Sequence, residues 1–216
     1  MFAKNAFPRI VVYFKKKGLT ATIYRLIVYT KQLFTAKRDV IFIYNINNFS
    51  NNILPPNNYK IEAKSNESEI SEIDMDLLAQ NNINMKIMQT YMRERFAQKG
   101  SLWLFKIDNV LVGYFWTVIG ISYDHFFPIA SNDVYFVDIK IFEQFRGKNM
   151  FNYMMKMILS KLKEQGVIRG YYTVHEWNEP MLRATNKMGA EMLGYIRKYR
   201  ILGKEIISWN QVNSLK

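Results

Sequence analysis

Two acids that can take or give a proton, Asp138 and Glu143, flank the end of one strand-like stretch, Val134 to Ile141. His175 and Glu176 close a later one. Between them the turn Arg146-Gly147-Lys148-Asn149 opens a helix-like run that continues through Met150 and Phe151. A helix that begins directly after a strand aims several unpaired N–H groups at one point, and its dipole adds partial positive charge there. Such a point suits a phosphate or pyrophosphate. Asn149 is the residue type that, after Gly, most readily takes the left-handed backbone such a turn requires. Asp138 sits between Val137 and Ile139. An acid in mid-strand is either paired in a polar network or functional. A lone His at a strand end, like His175, is either structural or a proton carrier.

Composition narrows the chemistry. The 216 residues are 49% hydrophobic and 15% aromatic, enough for a packed core. There is no cysteine, which excludes disulfides, thiolate nucleophiles and cysteine metal sites. Two histidines far apart, His125 and His175, argue against a zinc centre, so no metal is expected. No apolar run approaches a bilayer span, and no signal-peptide pattern is read, so the expected location is cytoplasmic. The net charge of +12 calls for a polyanionic partner: nucleic acid, anionic lipid or a phosphorylated cofactor. Nine of the basic residues fall between Met1 and Asp39.

The elements that must position these residues follow from periodicity and turn chemistry. Helical patterns cover 8–17 and 20–34, and a strand runs from Asp39 to Ile46. Asn-Asn pairs and Pro55-Pro56 mark a loop at 47–58, where a soft boundary divides a basic extension, 1–58, from a domain, 59–216. From Tyr59 onwards the predicted order is β-α-α-β-β-β-α-β-α-β-β. Asp108-Asn109 forms a tight hairpin turn, and Asn178 caps a helix with Pro180 in its first turn. Three adjacent strands and a crossover helix predict a mixed, mostly antiparallel α/β sheet with helices on both faces.

This order, with Arg-Gly-Lys after the meander, resembles the GNAT superfamily of acyl-CoA-dependent N-acyltransferases from Tyr59 to Trp209. Four features carry the resemblance. They are the hairpin Leu102 to Trp116, the strand and turn Ile139 to Asn149, Asn178, and Thr185-Asn-Lys-Met-Gly-Ala190. The last is similar to the family's Tyr-x-Lys-x-Gly-Phe segment. The chain departs from the family pattern where Asn149 replaces the first motif Gly and Phe151 the final small residue. The resemblance implies acetyl-CoA as co-substrate. Its pantetheine arm would lie along Ile139 and Ile141, and its pyrophosphate on the backbone from Arg146 through Gly147, Lys148, Asn149 and Met150 to Phe151. Asn178 would orient the arm or cap its own helix.

The implied chemistry is direct attack of an amine on the acetyl thioester. A backbone N–H near Ile141 would meet the developing oxyanion. Asp138, Glu143, His175 and Glu176 are candidates for the base. The family's Tyr acid corresponds to Thr185, so Tyr195 or Tyr172 substitutes or the thiolate leaves unaided. The expected function is therefore N-acetyl transfer to a primary amine of a small molecule or sugar. The alternative is a non-catalytic acyl-CoA-binding or interaction module on the same fold. For residues 1–39 the readings are a packed or dimer-forming appendage and peripheral contact with an anionic membrane. No nucleic-acid-binding signature accompanies the charge.

Overall fold

The computed structural model describes residues 14, 18–24, 27, 37–49, 56–81, 85–120, 129–201 and 204–212. Contacts divide the chain into two compact units. One comprises Met1–Arg38 and Ile196–Trp209, the other Asp39–Tyr195 and Asn210–Lys216. In the first, residues 18–24 are helical, and the Thr22 hydroxyl donates to the Gly18 carbonyl at 2.8 Å. Most of the helices expected over 8–17 and 20–34 lies outside the described residues, as does most of the basic segment 1–39.

The described elements are β1 (Lys37–Asn45), β2 (Tyr59–Lys64), α1 (Glu72–Gln80), α2 (Met85–Ala97), β3 (Gly100–Ile107), β4 (Val110–Ile119) and β5 (Asp133–Ile141). They continue with α3 (Met150–Glu164), β6 (Arg169–His175), α4 (Glu179–Lys187), β7 (Glu191–Ile201) and β8 (Lys204–Gln211). This is a mixed, mostly antiparallel α/β architecture, as the sequence predicts. Short 3-10 turns at Glu67–Glu69 and Glu143–Phe145 precede α1 and α3. Within the second unit the strands are hydrogen-bonded in the order β2-β3-β4-β5-β6-β1. The β2–β3, β3–β4, β4–β5 and β1–β6 pairs are antiparallel, and β5–β6 is parallel. A parallel pair needs a crossover, and α3 supplies it.

Local chemistry explains each piece. Asp108 and Asn109 turn the β3–β4 hairpin at φ 50° and 64°, conformations that these two residue types tolerate. Leu111 to Val118 is buried without interruption, so β4 is a central strand covered on both faces. In α3, Met150, Met154, Met155, Ile158, Leu159 and Leu162 form one buried helical stripe. That stripe packs with Phe105, Phe115, Phe136 and Tyr172 on one face of the sheet. Leu78, Met88 and Met92, from α1 and α2, pack with Leu102, Leu104 and Trp116 on the other. The Met residues of α3 fill core space, as their type suggests.

One element sits differently from its expected place. The sequence assigns the Asp39–Ile46 strand to the N-terminal extension, yet β1 pairs with β6 from Asp39↔His175 to Asn45↔Arg169. Its side chains explain this. Val40, Ile41, Phe42 and Tyr44 are all buried, which takes cover on both faces.

Candidate active site

β5 and β6 start together and then part. Their parallel register covers only Asp133–Phe136 against Arg169–Tyr172, although β5 continues to Ile141 and β6 to His175. The cause lies on the other edge of β5. Trp116 pairs with Asp138 and Thr117 with Phe136, so Val137 is an extra residue, a β-bulge. A bulge bends its strand and increases the local twist. It also breaks the alternation of faces. Val137 packs with the α1–α2 core, Asp138 reaches Tyr91 of α2, and Ile139 and Ile141 return to the α3 core. Phe142 N–H donates across to Val112 at 2.9 Å. Alternation therefore directs the N–H of Ile141 away from β4, into the opening beside β6.

Asp138 is the charged group that the bulge turns onto the α1–α2 face. Tyr91 donates its hydroxyl to Oδ2 at 3.2 Å. Burial pushes the Asp138 carboxyl above the usual carboxylate range. The Tyr91 hydroxyl, the Arg95 and Lys140 charges and the Ile139 N–H pull against burial without overcoming it. Burial also raises the Tyr91 phenol, with the Asp138 charge adding to it. Tyr91 is fixed edge-on to Trp116, with the Arg95 guanidinium 5.0 Å over its ring, and Lys140 donates to the Asn81 carbonyl. The result is a half-buried carboxylate of raised basicity, held by a neutral donor and flanked by two cations.

At the end of β5 the chain makes the turn that leads into α3. Arg146 Nε donates to the Ile141 carbonyl at 3.2 Å, and Arg146 N–H to the Glu143 carbonyl at 3.3 Å. Gly147 has φ 82° and Asn149 φ 60°, both left-handed. A Cβ on Gly147 would meet nothing within 4 Å, so one side of the turn is open. Asn152 and Tyr153 N–H donate to the Asn149 carbonyl, and the Asn152 amide donates to Asn149 Oδ1. The N–H groups just before them precede any intrahelical acceptor. Phe151 is half-buried and packs against the α3 core.

Solved structures share this fold at low sequence identity. A tandem GNAT protein from the clavulanic acid biosynthesis pathway matches at TM-score 0.56 and 10% identity, over 79% of this chain and 55% of that one. An acetyltransferase of the GNAT family from Colwellia psychrerythraea matches at 0.55 and 10%, over 97% and 73%. A conserved protein of unknown function from Staphylococcus epidermidis matches at 0.51 and 7%, over 81% and 64%. The fold is that of the GNAT acyltransferases. The chain spans little more than half the length of the tandem protein. No family model matches the chain, and no curated protein matches it in sequence.

Within the GNAT fold the residues singled out from sequence separate into groups. Ile139, Ile141 and the turn from Arg146 to Phe151 run consecutively from the opening into the helix N-terminus. Asn178 caps α4, accepting from Met181 N–H at 3.4 Å. Asp138 has the Tyr91 network just described. Glu143 lies in the 3-10 turn with its side chain exposed, and Glu176 is exposed beyond β6. The Nδ1 of His175 meets Asp39 Oδ1 at 2.5 Å, and its ring stacks on Trp177. Thr185 is fully buried. Tyr172 donates to Tyr44 at 3.3 Å, and burial pushes its phenol up to about 12. Tyr195 is half-buried against the α3 core. His125 lies outside the described residues. Sequence reasoning missed Tyr91, Arg95 and Asp39. The spacing of Met88, Tyr91, Met92 and Arg95 on one helical face was the available signal for the first two. Among the described residues no group of acids and histidines is placed to hold a metal, and no helix is long and apolar enough to cross a membrane.

Proposed function

We propose that the chain is an acetyl-CoA-dependent N-acetyltransferase acting on a primary amine of a small molecule or sugar. The observation that carries this reading is the opening between β5 and β6 beyond Phe136 and Tyr172, running into the open turn at the start of α3. An extended pantetheine arm can pair with the free edge of β5 like an added strand. The turn suits a pyrophosphate: left-handed Gly147 and Asn149, unpaired helix N–H groups and the exposed Lys148 converge there.

Acetyl-CoA supplies an activated carbonyl; this chain supplies the rest. The Ile141 N–H, directed into the opening, is placed to meet negative charge developing on the carbonyl oxygen. Asp138 takes the proton that the attacking amine sheds. Its raised basicity suits that task, and Tyr91 keeps it oriented. The carbon–nitrogen bond forms as the carbon–sulfur bond breaks, and the thiolate departs. A buried Tyr172 with a raised pKa is a poor donor to it.

A second reading, an acyl-CoA-binding module without catalysis, is favoured by one observation: buried Thr185 stands where the resemblance implies the family's Tyr. Thiol release from acetyl-CoA separates the two. The transferase reading expects amine-stimulated release across a panel of amino sugars, polyamines and arylalkylamines. Tight binding with no release from any of them would favour the module.

A further inference from the structure

The β1–β6 ladder sets Asp39 directly opposite His175, on the face of the sheet that also carries Asp138. Asp39 is buried at 5% exposure and holds Nδ1 of His175, so Nε2 is left on the outward side of the ring. The chain then turns back, with Asn178 N–H donating to the His175 carbonyl at 2.8 Å, and this lays Trp177 over the imidazole. The two rings lie 5.2 Å apart and within 16° of parallel. Trp177 is nevertheless 68% exposed: one indole face rests on His175 and the other is open. A large aromatic ring backed by an oriented imidazole, itself anchored on a buried acid, is a built platform rather than a stray surface residue.

Its position gives it a use. Past Phe136 and Tyr172 the opening has two walls. Asp138 and Lys140 stand on the β5 side, Thr173 and His175 on the β6 side, all on the same face of the sheet. We propose that Trp177 is the surface on which the acceptor lies, and that the acceptor is an amino sugar. A pyranose has a flat face of C–H groups that stacks on an indole, and hydroxyls at its rim that reach a hydrogen-bonding nitrogen such as Nε2 of His175. A linear amine has no flat C–H face to lay on the ring: it meets the indole only through its ammonium and cannot pair that contact with rim hydroxyls on His175. Asp39 is a positioning residue in this scheme: it fixes which nitrogen of His175 faces outward. The inference rests on the acetyltransferase reading and adds the class of acceptor to it.

The test reads binding separately from turnover. The indole N–H signal of Trp177 is assigned by its loss in Trp177→Phe, and the protein is titrated with glucosamine, tyramine and putrescine. Glucosamine is expected to move the Trp177 signal saturably, and putrescine, which offers the ring only an ammonium, to move it far more weakly. Trp177→Ala is expected to weaken glucosamine binding by about 2- to 10-fold, the scale of one aromatic contact, with acetyl-CoA affinity unchanged. A Trp177 signal moved by tyramine alone, moved equally by putrescine, or moved by none of the three overturns the inference. Acetyl transfer to amines that leave Trp177 undisturbed would sink it while the transferase reading stands. Glucosamine seated on Trp177 with no acetyl transferred to any amine would sink the transferase reading instead.

Discussion

Replacing Asp138 with Asn keeps the shape of the side chain and removes its capacity to accept a proton. Loss of a positioned general base lowers the rate by about 10²- to 10⁴-fold. That corresponds to roughly 3 to 5 kcal/mol of transition-state stabilisation, at 1.36 kcal/mol per tenfold. The structure adds a pH signature. Burial raises the Asp138 pKa, so wild-type activity should climb with pH along a limb lying above the ordinary carboxylate range. Asp138→Asn should lose that limb. Stability should move the opposite way. Between the ordinary and the raised pKa the native state binds more protons than the unfolded chain. Asp138 therefore contributes stability at low pH that is lost as pH rises through its folded pKa, and at neutral pH its partly desolvated charge is a burden. The Asn variant should be at least as stable as wild type at neutral pH, with its relative advantage gone in acid. The assay is amine-dependent thiol release across pH, with acetyl-CoA affinity and urea unfolding measured in parallel. An Asn variant within about threefold of wild-type rate at unchanged acetyl-CoA affinity would refute Asp138 as the base.

Three further outcomes follow from the geometry. Asn149→Val forces a β-branched residue to φ 60°, at a cost of about 1–2 kcal/mol; acetyl-CoA affinity should fall measurably by calorimetry, whereas Asn149→Gly should retain it. A Cβ at position 113 would lie 2.6 Å from the Lys140 carbonyl, so Gly113→Ala should push β5 off β4 beside Asp138, costing about 1–3 kcal/mol in urea unfolding and lowering activity as well. Arg169 holds the buried Asp133 through two hydrogen bonds, Nε–Oδ1 at 3.1 Å and Nη2–Oδ2 at 3.0 Å. Arg169→Met removes the cation paired with that carboxylate and leaves it the Ala130 N–H and the Tyr171 hydroxyl, so it should destabilise the protein by about 2 kcal/mol in the same measurement.

The sequence made the frame legible because the frame depends on local chemistry. Asp108-Asn109 can turn a hairpin, Asn149 can adopt a left-handed backbone and Asn178 can cap a helix through their own side chains, and each does so. The α3 stripe follows from its spacing alone. What was not legible depends on partners distant in the chain. Nothing near Asp138 in sequence announces that Tyr91 will reach it from α2, or that an extra residue at Val137 will turn it to that face. The pairing of His175 with Asp39 needs β1 beside β6, a neighbourhood set by long-range strand pairing. For the same reason a strand assigned to an extension proved to belong to the sheet.

The most direct test of the central claim is calorimetric titration of the full chain with acetyl-CoA, with free coenzyme A alongside. Saturable binding of both is expected in the micromolar range, held by the β5 edge and the turn at the start of α3. No binding of either up to millimolar concentration would contradict it: the GNAT fold would stand, and the acyl-CoA function would not.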